Sequence, residues 1–312
     1  MNRAERRRQQ KLARGTQKAG STVDGIIDKA LKYHAKGNVE EAQKLYERVL
    51  QSEPSNPIAL HYLGVISLEA GNTDQAADLI SKSLASNPKY AEAYSNLGIV
   101  QKKLGMLEEA VVSYNKAVSI KPGFANAWNN LGMALHDLGR MEEAVASYDE
   151  AIAIKPDYAE AHNNFGMALR MLGRLEEALA SYDKAISIKP DFAEAHNNLG
   201  RGLDELGKPE EAVDSYHKAI SIKPDVAEFH SNLSFASWKL RRIEEAVTSG
   251  RKAITIKRDY ADGWVNLGLC LNDLGSLDEA IASYREAIRI HPEHALAWNN
   301  LKLVSKALKF AL

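Results

Sequence analysis

The sequence predicts an all-α protein built as a solenoid of repeated helical hairpins. Three observations carry this reading. The chain matches itself at a period of 34 residues, apolar residues recur at helical spacing twice in each period, and helix-stopping residues fall at the same two places every time. The match is clearest where AEAHNNFGMALRMLGRLEEALASYDKAISIKPDF is followed at once by AEAHNNLGRGLDELGKPEEAVDSYHKAISIKPDV. Eight units fit without insertion, beginning at Val23, Pro57, Ala91, Ala125, Ala159, Ala193, Ala227 and Ala261, and a partial ninth starts at Ala295.

Within one unit Tyr94, Leu97, Gly98 and Leu104 trace the first helix, and Leu107, Ala110, Val111, Tyr114, Ala117 and Val118 the second. The first helix should stop at Leu-Gly pairs such as Leu104-Gly105 and Leu172-Gly173, where glycine can take the left-handed conformation that closes a helix. The second should stop before Pro122, Pro156, Pro190 and Pro224, because proline cannot continue a helix and disfavours helical geometry in the residue before it. Small residues at Gly98, Gly132, Gly166 and Gly200, and at Ala110, Ala144, Ala178 and Ala212, let paired helices approach closely. Tyr114, Tyr148, Tyr182 and Tyr216 fill the space one turn on. A lone hairpin buries too little to offset its conformational entropy, so stability has to come from stacked neighbours.

With 45% hydrophobic and 26% charged residues, the chain is not disordered by composition. Residues 1 to 20 hold seven Lys/Arg and one Glu, while the remainder carries 33 Lys/Arg against 40 Asp/Glu, so a basic head precedes an acidic body. No apolar run approaches the ~18 residues needed to span a bilayer, and arginines stand where a signal peptide needs apolar residues. These features predict a cytoplasmic protein. The single cysteine, Cys270, excludes an internal disulfide and reads as a buried structural thiol. Residues 1–22 are expected to form a basic tail, 23–294 the eight repeats, and 295–312 a capping helix, since Lys302 stands where glycine would receive a second helix. Contact with nucleic acid is expected only through the tail, at Arg3, Arg6, Arg7 and Arg8.

An aromatic, then Leu-Gly, then Ala, Tyr, Ala and Pro at 34-residue spacing is the tetratricopeptide signature, and the chain resembles that family over about nine tenths of its length. The resemblance implies a right-handed superhelix with first helices lining a concave groove, and a role in binding other polypeptides without catalysis. Asparagine recurs at the sixth residue of successive units, at Asn96, Asn130, Asn164, Asn198, Asn232, Asn266 and Asn300; the first two units carry Asp28 and Tyr62 there. Helices stacked about 10 Å apart match roughly three residues of extended chain, and an amide both donates and accepts. The series therefore reads either as a ladder that grips a peptide backbone or as a structural feature of the repeat.

The series is similar to the asparagine ladder of O-GlcNAc transferases, of which many bacterial relatives continue into a transferase domain. These 312 residues leave no room for such a domain, so that reading makes the chain a substrate-recognition arm for a glycosyltransferase on another chain. Lys102, His136, Arg170 and Arg201, on the same first helices, are the candidate specificity residues. Glu92, Glu160, Glu194, Glu228 and Asp262 either tune the groove towards basic partners or complement helix dipoles. The chaperone-tail clamp of the family needs Lys and Arg where this chain has mostly Glu and Asn. His162, His196 and His230 replace an aromatic residue and are not expected to bind metal, nor is any cofactor or catalytic residue expected: P-loop, His-Glu-x-x-His and Gly-x-Ser-x-Gly patterns are missing. Phe310 and Leu312 leave some apolar surface, and a third reading joins repeat ends through it in a homo-oligomer. The unit from Ala227 to Tyr260, with Ser234 and Arg241 for Gly, Gly250 for Tyr and Arg258 for Pro, reads as ordinary drift, a hinge or a specialised pocket.

Overall fold

The computed structural model describes residues 22–311, with side chains to residue 306; the basic head with Arg3, Arg6, Arg7 and Arg8, and the side chains of Phe310 and Leu312, lie outside the described residues. Among the described residues there are seventeen helices and no strand. Eight antiparallel pairs run α1 (Val23–Ala35) with α2 (Val39–Ser52), α3 (Pro57–Glu69) with α4 (Thr73–Ser86), α5 (Ala91–Lys103) with α6 (Leu107–Ile120), and α7 (Ala125–Asp137) with α8 (Met141–Ile154). They continue with α9 (Ala159–Met171) and α10 (Leu175–Ile188), α11 (Ala193–Glu205) and α12 (Pro209–Ile222), α13 (Ala227–Lys239) and α14 (Ile243–Ile256), and α15 (Ala261–Asp273) and α16 (Leu277–Ile290). A last helix, α17 (Ala295–Ala311), follows alone. The chain divides into two compact units, Met1–Ile154 and Lys155–Leu312.

Local chemistry sets these ends. Thr22 caps α1, its hydroxyl accepting from the Gly25 N–H at 3.2 Å, and Asn56 caps α3 by accepting from Ile58 and Ala59. First helices close on glycines with positive φ, Gly173 at 75° for example, after which the Arg174 N–H reaches back to the Leu169 carbonyl at 2.9 Å. In the unit from Ala227, Arg241 occupies this slot at φ 60°.

Glycine and tyrosine fix the spacing within each hairpin. A Cβ on Gly98, Gly132, Gly166, Gly200 or Gly268 would stand 2.6–2.7 Å from the ring of Tyr114, Tyr148, Tyr182, Tyr216 or Tyr284, so the ring lies flat on bare backbone. Those tyrosines and alanines Ala110, Ala144, Ala178 and Ala212 are buried. The unit from Ala227 inverts the arrangement. Ser234 replaces the glycine, Gly250 replaces the tyrosine, and the Ser234 hydroxyl donates to the Ala246 carbonyl at 2.7 Å and sits 3.5 Å from the Cys270 sulfur. Cys270 is fully buried and burial pushes its thiol pKa up, which makes it a packing residue.

Within each unit the first helices of consecutive repeats touch one another directly, as α5 does α7 and α11 does α13. Second helices touch their own first helix and, within a unit, the one that follows. First helices therefore share the inner face of each unit, and residues at equivalent positions along them line up.

Two substitutions test this packing. Gly166→Ala gains about 1 kcal/mol of helix propensity but forces a methyl to 2.7 Å from Tyr182 and 3.1 Å from the Ala178 carbonyl. Overpacking costs about 1–3 kcal/mol, so the thermal midpoint followed by circular dichroism should fall. Arg241→Gly should raise it, by about 0.5–1 kcal/mol, because the left-handed conformation costs arginine about 1–2 kcal/mol and its ion pair with Asp273 is exposed on the arginine side.

Candidate functional site

The inner face is assembled from positions that recur every 34 residues, but its contacts run on a diagonal of 35. In the unit Lys155–Leu312, the Asn198 amide donates to Asn163 Oδ1 at 3.0 Å, Asn232 to Asn197 Oδ1 at 2.9 Å, and Asn266 to Ser231 Oγ at 3.0 Å. In the unit Met1–Ile154, the Asn96 amide meets His61 Nε2 at 2.8 Å. These four ladder residues lean on the fifth residue of the repeat before them. Asn300 differs, because Val265 stands at that place and Asn300 Nδ2 is buried without a partner. At Asn198 and Asn232 the bond uses one of the amide's two N–H groups and leaves carbonyl and second N–H for other partners, while Asn266 also reaches the Ser231 carbonyl at 3.4 Å.

Two turns along the same helices a second diagonal is charged. Lys102 pairs with Asp137 at 2.8 Å, Arg170 with Glu205 at 2.5 Å, Lys239 with Asp204 at 2.6 Å, and the Trp238 indole N–H donates to Asp273 at 3.0 Å. Arg201 reaches Glu228 at 3.4 Å, and His136 Nδ1 lies 3.5 Å from Asp137. The predicted specificity residues are therefore on the inner face, each beside an acid. Lys102 and Asn130, with Ile99, Lys103, Tyr114 and Met133, line an open cleft of about 470 Å³. In α13 the Phe235 and Trp238 rings stack, centroids 5.6 Å apart, and Lys239 lies over Phe235.

The first-turn acids are engaged as well. Lys121 holds Glu92 at 2.7 Å, Lys189 holds Glu160 at 3.4 Å and Lys223 holds Glu194 at 2.5 Å, each lysine coming from the loop that closes the same repeat. Lys121 and Lys189 also cover the Phe124 and Phe192 rings at 4.9 and 5.0 Å. Their carboxylates serve repeat closure.

The histidines follow the logic of the indoles they replace. Trp128 and Trp264 donate Nε1–H to the Pro122 and Arg258 carbonyls at 2.9 Å; His162, His196 and His230 bring Nε2 to the Pro156, Pro190 and Pro224 carbonyls at 3.1, 3.0 and 2.8 Å. Nε2 consequently carries the proton, and a metal would have to break that bond. No group of three or more His, Cys, Asp or Glu side chains among the described residues is placed to hold a metal ion.

Sequence reasoning missed the residues behind the ladder, Asn163, Asn197, Ser231 and His61. The available signal was the Asn-Asn pair, in which a first asparagine stands before the ladder residue at Asn129, Asn163, Asn197 and Asn299 and polar Ser or His takes its place at Ser95, Ser231 and His61.

This geometry defines a helical-repeat solenoid with a polar inner face. Sequence profiles described as tetratricopeptide repeat match residues 33–98, 123–191, 157–225, 197–261 and 261–294, and one described as TPR repeat matches 102–139. The chain belongs to the tetratricopeptide-repeat family. Among solved structures it is similar to a chain of the APC/C hetero-tetramer Cut9–Hcn1, with 20% identity and TM-score 0.65 over 92% of this chain and 56% of that one. It is also similar to pilF of Pseudomonas aeruginosa, with 21% identity and TM-score 0.59 over 67% of this chain and 95% of pilF. MamA is 27% identical, with TM-score 0.50 over 55% of this chain and 93% of MamA. No curated protein matches the chain by sequence. No helix among the described residues is long and apolar enough to cross a membrane.

One buried group makes a pH prediction. His61 is 2% exposed and burial lowers its pKa from 6.5 to about 4, with Glu92 pulling the other way. Above about pH 6.5 the ring is neutral folded or unfolded, and nothing is lost. Between about 6.5 and 4 only the unfolded chain takes the proton, so stability falls with pH, by on the order of 3 kcal/mol in full. His61→Gln should flatten the urea midpoint between pH 6.5 and 4.5 relative to wild type.

Proposed function

We propose that the chain is a non-catalytic interaction module that receives an extended polypeptide along its first-helix face. Asn164, Asn198, Asn232 and Asn266 are the backbone contacts in the unit Lys155–Leu312, and Asn96 and Asn130 have the same role in the unit Met1–Ile154. The observation that carries this is the repetition of one amide in one pose. Asn198, Asn232 and Asn266 are each half-buried and tied at Nδ2 to the preceding repeat, with the carbonyl oxygen, and at Asn198 and Asn232 the second N–H, in reserve. A polypeptide backbone offers the complementary N–H and C=O at regular intervals whatever its sequence. Lys102, Arg170 and Arg201, paired with Asp137, Glu205 and Glu228, supply specificity by exchanging partners with charged side chains of the bound chain, and His136 adds a polar contact beside Asp137.

A substrate-recognition arm serving a glycosyltransferase on another chain would use the same ladder. Sugar transfer from UDP-sugars by the purified protein alone would overturn the non-catalytic reading. The direct test is affinity for reduced, carboxymethylated α-lactalbumin, a permanently unfolded polypeptide. The double variant Asn198→Ala, Asn232→Ala should bind it at least about tenfold more weakly, each lost backbone bond contributing about 0.5–1.5 kcal/mol. Unchanged affinity with intact helicity would refute the groove.

A further inference from the structure

We infer that Asn163, Asn197 and Ser231 are positioning residues that hold the ladder amides in the pose that grips a polypeptide, an inference that rests on the groove reading above. They are too enclosed to touch a ligand, being 5%, 3% and 1% exposed. Each nonetheless spends a polar atom on the ladder residue 35 positions later, at 2.9–3.0 Å.

Asn163 is itself held. Its amide nitrogen lies 3.4 Å from Asn164 Oδ1 and 3.7 Å from Met167 Sδ, which turns its oxygen towards Asn198. The amide of Asn198 then cannot flip without setting its oxygen against the Asn163 oxygen. Its rotamer and the sense of its dipole are fixed before any ligand arrives. The acceptor's chemistry is not restricted to an amide. Asn163, Asn197, Ser231 and His61 offer a carbonyl oxygen, a hydroxyl oxygen and a ring nitrogen at one place in four repeats.

The chain also contains its own counterexample. Val265 occupies the same place before Asn300, whose Nδ2 is buried and unpartnered. That rung lacks its support and contributes least to binding. Freezing a side chain on binding costs about 0.5–1.5 kcal/mol, so an unsupported rung binds roughly two- to tenfold more weakly.

The experiment measures affinity for reduced, carboxymethylated α-lactalbumin with the full chain. It compares wild type, Asn163→Ala, Asn197→Ala, Asn163→Ser, Asn197→Ser and the contact variant Asn198→Ala, Asn232→Ala. Support requires that the contact variant lose affinity, that the alanine variants lose roughly two- to tenfold each, and that the serine variants, copying Ser231, recover most of it. If the contact variant loses affinity while the alanine variants bind as wild type, or while serine fails as badly as alanine, the positioning role is overturned and the groove stands. If the contact variant binds as wild type, the groove reading falls and this inference with it. Should either alanine variant fail to fold, Val265→Thr carries the test by supplying Asn300 with a hydroxyl in a nearly unchanged volume. Tighter binding supports the role, and unchanged or weaker binding of the folded variant overturns it.

Discussion

The contact between a tyrosine ring and bare glycine backbone governs this structure. In five repeats the ring lies where even a methyl group would be 2.6–2.7 Å away, so paired helices sit as close as helices with side chains between them could not. That distance fixes how each hairpin offers its first helix to the next. The inner face then follows: the asparagine diagonal and the charged diagonal close only if neighbouring first helices meet at one offset, and their bonds of 2.5–3.0 Å tolerate little slippage. The geometry of that face is a by-product of packing behind it.

The inner face is nearly self-neutralised. Lys102, Arg170, Arg201 and Lys239 each have a carboxylate beside them, and the first-turn acids Glu92, Glu160 and Glu194 are taken by loop lysines. A charged ligand would have to compete with an existing ion pair and would gain only the difference. Neutral backbone groups face no such competition at the asparagines. On the proposed reading this arrangement favours grip on the main chain, with side-chain preference added where a pair is loose, as at the 3.4 Å separation of Arg201 and Glu228.

The hairpins were fully legible in the sequence because their determinants are local. Leu-Gly ends a helix whatever surrounds it, and the glycine sixteen residues before a tyrosine announces a close helix pair. Asn198 and Asn232 were legible as a series because self-comparison aligns equivalent positions. Their partners were not, since the bonds join the sixth residue of one repeat to the fifth of the one before, a diagonal that no alignment of like with like displays. The same offset concealed Arg170 with Glu205 and Lys239 with Asp204. In the sequence the acids at Glu92, Glu160 and Glu194 fit both a groove and a helix end; in the structure the lysines that close the same repeats engage them.

The exchanged pair at Ser234 and Gly250 has a further consequence. Repeats 159–192 and 193–226 are almost interchangeable, and a chain of interchangeable parts can assemble one part out of step. Ser234 cannot lie on a tyrosine, because its side chain would fall where the Cβ of Gly200 would meet the Tyr216 ring at 2.7 Å. A glycine-bearing helix laid on α14 would leave a hole the size of that ring. The irregular repeat therefore packs its two helices on each other and would pack poorly with a helix borrowed from a glycine-and-tyrosine repeat, which sets its place in the array apart from the others.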